Sequence, residues 1–191
     1  MASRFEQAIA RFDAAHAEDP EKDAAGRSKE LVYAERMSAW LEKLAPDASE
    51  PLRLAIRCQH IRRWAIRRGD YPEGAAGYRK WRVDEATAHA LDAKEILEQA
   101  GYDAPAIQRV QALVRKEKLK QDPEAQLLED VSCLVFLEND FARFAKKHDE
   151  AKLLDILRKT WRKMSPRGQE AALALELPAP LRAVVAKALT G

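Results

Sequence analysis

An all-α fold is predicted by three observations. Apolar residues recur at three- and four-residue spacing along nearly the whole chain. No segment alternates apolar and polar residues long enough to form a strand. Proline and capping residues fall at the edges of the periodic stretches, where they start or stop helices. The expected architecture is a compact single-domain multi-helix bundle spanning residues 1–191.

Each element follows from local pattern. Phe5, Ile9 and Phe12 share one helical face, and that first helix stops before Asp19-Pro20. Ser28 is placed to cap a second helix, whose stripe is Leu31, Ala34, Met37, Leu41 and Leu44, and Pro46 ends it. Ser49 and Pro51 open a third, with Leu52, Ala55, Ile56 and then Gln59-His60 on its inner face. Gly69 to Gly77 holds three glycines and Pro72, so it reads as a loop suited to a lid. A fourth helix runs from about Tyr78 to Ala100 and stops at Gly101. A fifth runs from Asp103 to about Lys118, with Ile107, Val110, Leu113 and Val114 inward. Asp122-Pro123 opens a long helix that is apolar all round between Leu127 and Leu137, as expected of a central core helix. Leu153–Met164, a helix starting at Ser165-Pro166, and Pro180–Leu189 complete the chain.

Composition narrows the function classes. With 33 basic and 31 acidic residues the formal charge is +2, too balanced for a dedicated DNA-binding domain. The basic residues are uneven, however: Arg53, Arg57, Arg62, Arg63, Arg67 and Arg68 occupy a stretch without a single acid, an anion-facing surface in prospect. Cys58 and Cys133 lie inside apolar runs and read as small buried hydrophobes of a reducing compartment. No signal peptide and no run of transmembrane length is seen, so a cytoplasmic protein with no membrane partner is expected. No nucleophile triad, phosphate-binding glycine loop or dinucleotide motif is present.

Three helices each carry a polar residue on or near an apolar face. His60 lies four residues after Ile56, His89 lies among small residues (Ala86-Thr87-Ala88-His89-Ala90), and Asp130 lies between Leu127 and Leu134. A buried carboxylate is costly unless paired, hydrogen-bonded or metal-bound. Histidine nitrogens and a carboxylate suit a divalent cation, while hydrogen-bonded core residues are the plainer alternative. Around them, Arg36, Arg62, Arg63, Arg82 and Lys94 are candidates for phosphate contacts, and Trp64 or Trp81 could stack on a base or sugar. Thr160-Trp161-Arg162-Lys163-Met164-Ser165 is a second, weaker basic-aromatic patch.

The order of these segments resembles the HD superfamily of all-helical, metal-dependent phosphohydrolases. Ala55 to Arg62 is similar to the family's apolar run into its His-Asp pair. The stretch from His89 to Gly101 and that from Ile107 to Val114 resemble the two following helices, and Glu129-Asp130 with Leu134 resembles the last metal-binding aspartate. The resemblance implies an HD-like core over about residues 28–145, with C-terminal helices over about 149–191 packed on it. It implies a metal set of Glu35, His60, His89 and Asp130 holding one divalent ion (Mg, Mn or Zn) that activates water. Two departures count against two-metal catalysis: Ile61 stands where the pair's aspartate belongs, and Glu35 stands near the place of the first histidine. The whole chain also resembles an uncharacterised bacterial family, which implies no activity.

The expectation is therefore a protein that binds a small anionic, phosphorylated ligand or nucleotide and hydrolyses it with a single metal. A metal-free anion-binding module is the alternative, and an RNA-associated protein ranks third.

Overall fold

A computed structural model describes residues 2–190. It is all-α: ten α-helices and no β-strand occur among the described residues. By its contacts the chain divides into two compact units, residues 1–118 and 119–191. The division falls inside the stretch that the resemblance marks as one core.

The first unit contains α1 (Arg4–Ala17), α2 (Lys29–Leu44), α3 (Glu50–Arg57), α4 (Gly74–Gln99) and α5 (Ala104–Val114). Helix α3 packs on α1, α2 and α5, and α4 packs on α1 and α5. Phe12, Met37, Leu52, Ile56, Leu97 and Leu113 fill the core between them. The start of α3 is capped as the sequence predicts at Ser49, which accepts from Leu52 N–H, and Asp103, expected as the first residue of α5, instead caps it by accepting from Ala106 N–H. Helix α2 is different. The Ser28 hydroxyl donates to Ala17 C=O instead of capping, and the buried Asp19 carboxylate accepts from Glu30 N–H.

Between α3 and α4 the chain departs from the predicted pattern. Helix α3 ends at Arg57, so His60 is not helical. It takes a left-handed backbone with φ of 61°, and Arg62 follows at 50°. The expected lid is fastened down. The Arg68 guanidinium donates to Tyr71 and Pro72 C=O, the Trp81 indole N–H donates to Ile66 C=O, and the Tyr71 hydroxyl donates to Asp84. Helix α4 starts at Gly74 rather than Tyr78. Gly77 is required there, because a Cβ would sit 1.9 Å from the Pro72 carbonyl oxygen. Helix α5 stops at Val114, four residues early, in a turn with Lys116 and Lys118 both at φ 54°.

The second unit contains α6 (Pro123–Val135), α7 (Phe141–Ala145), α8 (Glu150–Lys163), α9 (Pro166–Leu173) and α10 (Ala179–Thr190). A π-turn over Phe136–Asp140 joins α6 to α7, which interrupts the long helix expected from the apolar run. Helix α6 packs on α8 and α9, and α8 packs on α10. Leu128, Val131, Leu134, Phe141 and Leu157 are buried. The Asp122-Pro123 and Ser165-Pro166 starts cap as predicted.

Candidate functional site

Helix α4 presents a stripe to the interior at four-residue intervals: Gly77, Trp81, Glu85 and His89, all buried. Opposite this stripe lies the non-helical turn that follows α3. The turn's carbonyl at Ile61 accepts a 2.7 Å hydrogen bond from His89 Nδ1. A carbonyl only accepts, so Nδ1 carries the proton and Nε2 keeps a bare lone pair. That Nε2 is buried and has no hydrogen-bond partner within the protein.

His60 sits on the same turn with its ring centroid 6.0 Å from that of His89, stacked on Tyr33 at 4.5 Å. An Arg63 Nη lies 3.2 Å from His60 Nδ1. Guanidinium only donates, so this Nδ1 accepts and the His60 proton resides on Nε2. Glu30 Oε2 approaches the same ring at 3.7 Å. The left-handed backbone at His60 turns the side chain back towards α4. A histidine on a continued α3 would follow the helical face instead.

Glu85 organises the cations. Its side chain is 1% exposed and ion-paired to Arg63 at 3.2 Å and Arg82 at 3.0 Å. Burial raises its pKa, and the two guanidiniums oppose that rise. Both guanidiniums also lie over the Trp81 ring, at 5.6 and 5.7 Å. Burial lowers the pKa of both histidines, His60 well below its ordinary value and His89 to about 4, and nearby Arg63 and Arg82 lower both further. Both imidazoles are therefore neutral at physiological pH.

These groups line a cleft of about 340 Å³, bounded by Gln59, His60, Arg82, Glu85, His89 and Lys116. The Lys116 charge is among those that hold His60 neutral. A second cleft of about 420 Å³ shares Glu85 and is lined by Arg63, Trp64, Arg67 and Trp81. Arg63 lines this second cleft, and its guanidinium is bonded to Glu85 and His60, which line the first.

The structure brings His60, His89, Arg63 and Arg82 together, and it gives the other expected residues different partners. Glu35 lies on the surface of α2, where both its oxygens accept from Arg27 at 2.7 and 2.6 Å. Arg36 is exposed on α2. Arg62 pairs with Asp92 at 3.2 Å, and Lys94 with Glu98 at 3.6 Å. None of these four lines either cleft. Asp130 belongs to the second unit, where its carboxylate accepts from Gln126 Nε2, Ser165 N–H and Ser165 Oγ–H. Arg57, in the basic stretch expected to face an anion, makes two bonds to Asp13 at 2.6 and 2.8 Å. Trp81 is nearly buried and fastens the loop, whereas Trp64 is half-buried in the second cleft.

The implied metal ion does not fit these donors. Among the described residues no group of three His, Cys, Asp or Glu side chains is placed to hold a metal ion. The His60 nitrogen that faces Arg63 is engaged and the other is protonated, so of the two imidazoles only His89, through Nε2, offers a free lone pair. The residues missed from the sequence are Glu85, Glu30 and Lys116, while Gln59 was placed on an inner face without a role. For Glu85 a signal was present: it lies four residues from both Trp81 and His89, on their face of the helix.

The fold and site define a helical protein with a histidine–arginine cleft in its first unit. The chain belongs to a family of domains of unknown function, DUF4202, whose family model matches residues 6–185. No curated protein and no solved structure matches it.

Proposed function

We propose that the first unit binds a small phosphorylated anion in the cleft between α4 and the turn after α3, without a metal. One observation carries this reading: a single buried carboxylate, Glu85, fixes two guanidiniums beside a polar cleft. Arginine forks recognise phosphate oxygens through pairs of charge-assisted hydrogen bonds. Arg63 spends Nε and one Nη on Glu85 and His60, and Arg82 spends one Nη on Glu85, so each retains nitrogens for a ligand. Fixing the two side chains beforehand reduces the entropy lost on binding. Neutral His60 adds an Nε2–H donor without adding charge.

A divalent ion with hydrolysis is the alternative implied by the HD resemblance. Isothermal titration of inorganic phosphate and of a nucleoside monophosphate, each with and without EDTA, separates the two. Binding that persists in EDTA, and weakens about tenfold in Arg82→Ala, supports the metal-free site. Binding or phosphate release that requires added Mg, Mn or Zn favours the hydrolase, and no binding under either condition ends both.

A further inference from the structure

The strongest unexplained atom in the first unit is His89 Nε2. A buried acceptor left without a partner destabilises a fold, and nearly all such groups in native proteins are satisfied. Here the deficit is enforced from the other side of the ring. The 2.7 Å bond from Nδ1–H to Ile61 C=O fixes the tautomer, so Nε2 cannot become a donor by shifting its proton. Taking up a second proton is equally opposed, because the ring is desolvated and lies among cations. The atom is held as a hydrogen-bond acceptor in a cleft where Arg82, Arg115, Lys116 and the His60 Nε2–H are donors to an anion, and where the two carboxylates, Glu85 and Glu117, are already paired with arginines.

We infer that His89 makes the cleft selective for an oxyanion that brings its own proton, such as hydrogen phosphate, over an equally charged oxyanion without one. Hydrogen phosphate presents oxygens to the arginines and a P–OH to His89 Nε2. Sulfate has the same shape and, at mildly alkaline pH, the same charge, but it has no proton to donate. It would face the lone pair with its own lone pairs, leaving the buried acceptor unmet and repelled. Sites built around a hydrogen bond discriminate strongly against ligands that lack the group, because the site's own polar atom is then stranded. The same logic ranks a phosphomonoester monoanion above its dianion. The inference rests on the anion site proposed above and specifies which protonation state it takes.

The test is isothermal titration of the intact protein with sodium phosphate and sodium sulfate at pH 7.5, in EDTA and matched ionic strength. Phosphate is expected to bind at least about tenfold more tightly than sulfate. His89→Asn keeps an amide donor near the Nδ1 position for Ile61 C=O while deleting Nε2, and is expected to bind the two anions alike. Circular dichroism establishes that this variant is folded, and His89→Ala serves as a second replacement should it not be. Equal affinities in the wild-type protein would overturn the selectivity and leave the anion site standing, since an acceptor satisfied by a trapped water does not read the ligand. Discrimination that survives loss of Nε2 in a folded variant overturns it as well. Binding of neither anion removes both this inference and the site it rests on.

Discussion

Each unit buries a carboxylate on the inner face of a helix, and the two are used in opposite ways. Asp130 of α6 is saturated: it accepts from Gln126 and twice from Ser165, whose hydroxyl in turn accepts from Gly168 N–H at the start of α9. Its role is to organise a helix start. Glu85 of α4 sits among groups with capacity to spare, namely two arginines, a histidine lone pair without a partner and a cleft large enough for a ligand. A buried polar residue is thus a poor guide to a site. What distinguishes the two regions is whether the polar groups satisfy one another or point to a missing partner.

The comparison can be broken in four places. Asp130→Ala should cost about 4 kcal/mol in urea unfolding, because it strands the Ser165 and Gln126 donors and loosens the start of α9. Phosphate binding should survive in the folded variant. Its loss there would make Asp130 part of the site.

Acid should act on the first unit through its histidines. A group with a depressed native pKa leaves stability unaffected above its unfolded value of 6.5, where both states are neutral. As pH falls from there towards about 4, the unfolded chain binds a proton that native His89 refuses. This lowers stability by about 3 kcal/mol across the interval, and His60 and His16 act in the same direction. Urea melts at pH 7 and 4.5 should show the loss, and His89→Asn should reduce it. A pH-independent midpoint would mean that these rings are not held neutral by burial.

Gly168→Ala should cost about 2 kcal/mol, since the new Cβ would lie 2.6 Å from Asp130 Cγ, and its effect should not add to that of Asp130→Ala. Additivity would show that the tight approach is not what holds α9 there. The smallest effect is expected at Lys116, which lines the cleft with a left-handed backbone. Lys116→Asn should raise stability by up to about 1 kcal/mol, because asparagine tolerates that conformation, while weakening phosphate binding. Lys118→Gly relieves an equal φ on an exposed residue outside both clefts and should leave binding unchanged. Equal binding losses in the two variants would assign the effect to the turn rather than to the Lys116 charge.

The helices were legible because their signals are local. Ser49-Pro51, Asp122-Pro123 and Ser165-Pro166 each put a capping oxygen within reach of the first free amides, and the structure uses all three. Asp19 was not legible as the cap of α2, because it lies eleven residues from the amide it accepts. The ends of α3 and α5 were hidden for a related reason. Left-handed turns usually announce themselves with glycine, and here histidine, arginine and lysine take those positions, so periodicity ran on past the true ends. Two of the four residues expected to converge do so despite this error. His60 and His89 do come together, but His60 gets there by leaving the helix that was expected to carry it. Glu35 and Asp130 looked equivalent to them in sequence, and only their partners, Arg27 and Ser165, give them other work.

The left-handed residues have a consequence for anyone who breeds or designs variants of this chain. At residues 60 and 116 the backbone favours glycine or asparagine, whereas the anion site proposed above calls for histidine and lysine. A screen that scores only survival at high temperature would drift towards glycine or asparagine at both positions. It would return robust helical bundles whose cleft had gone silent. Under the proposed anion site, sequences that keep histidine and lysine at these turns would be the ones that retain phosphate binding.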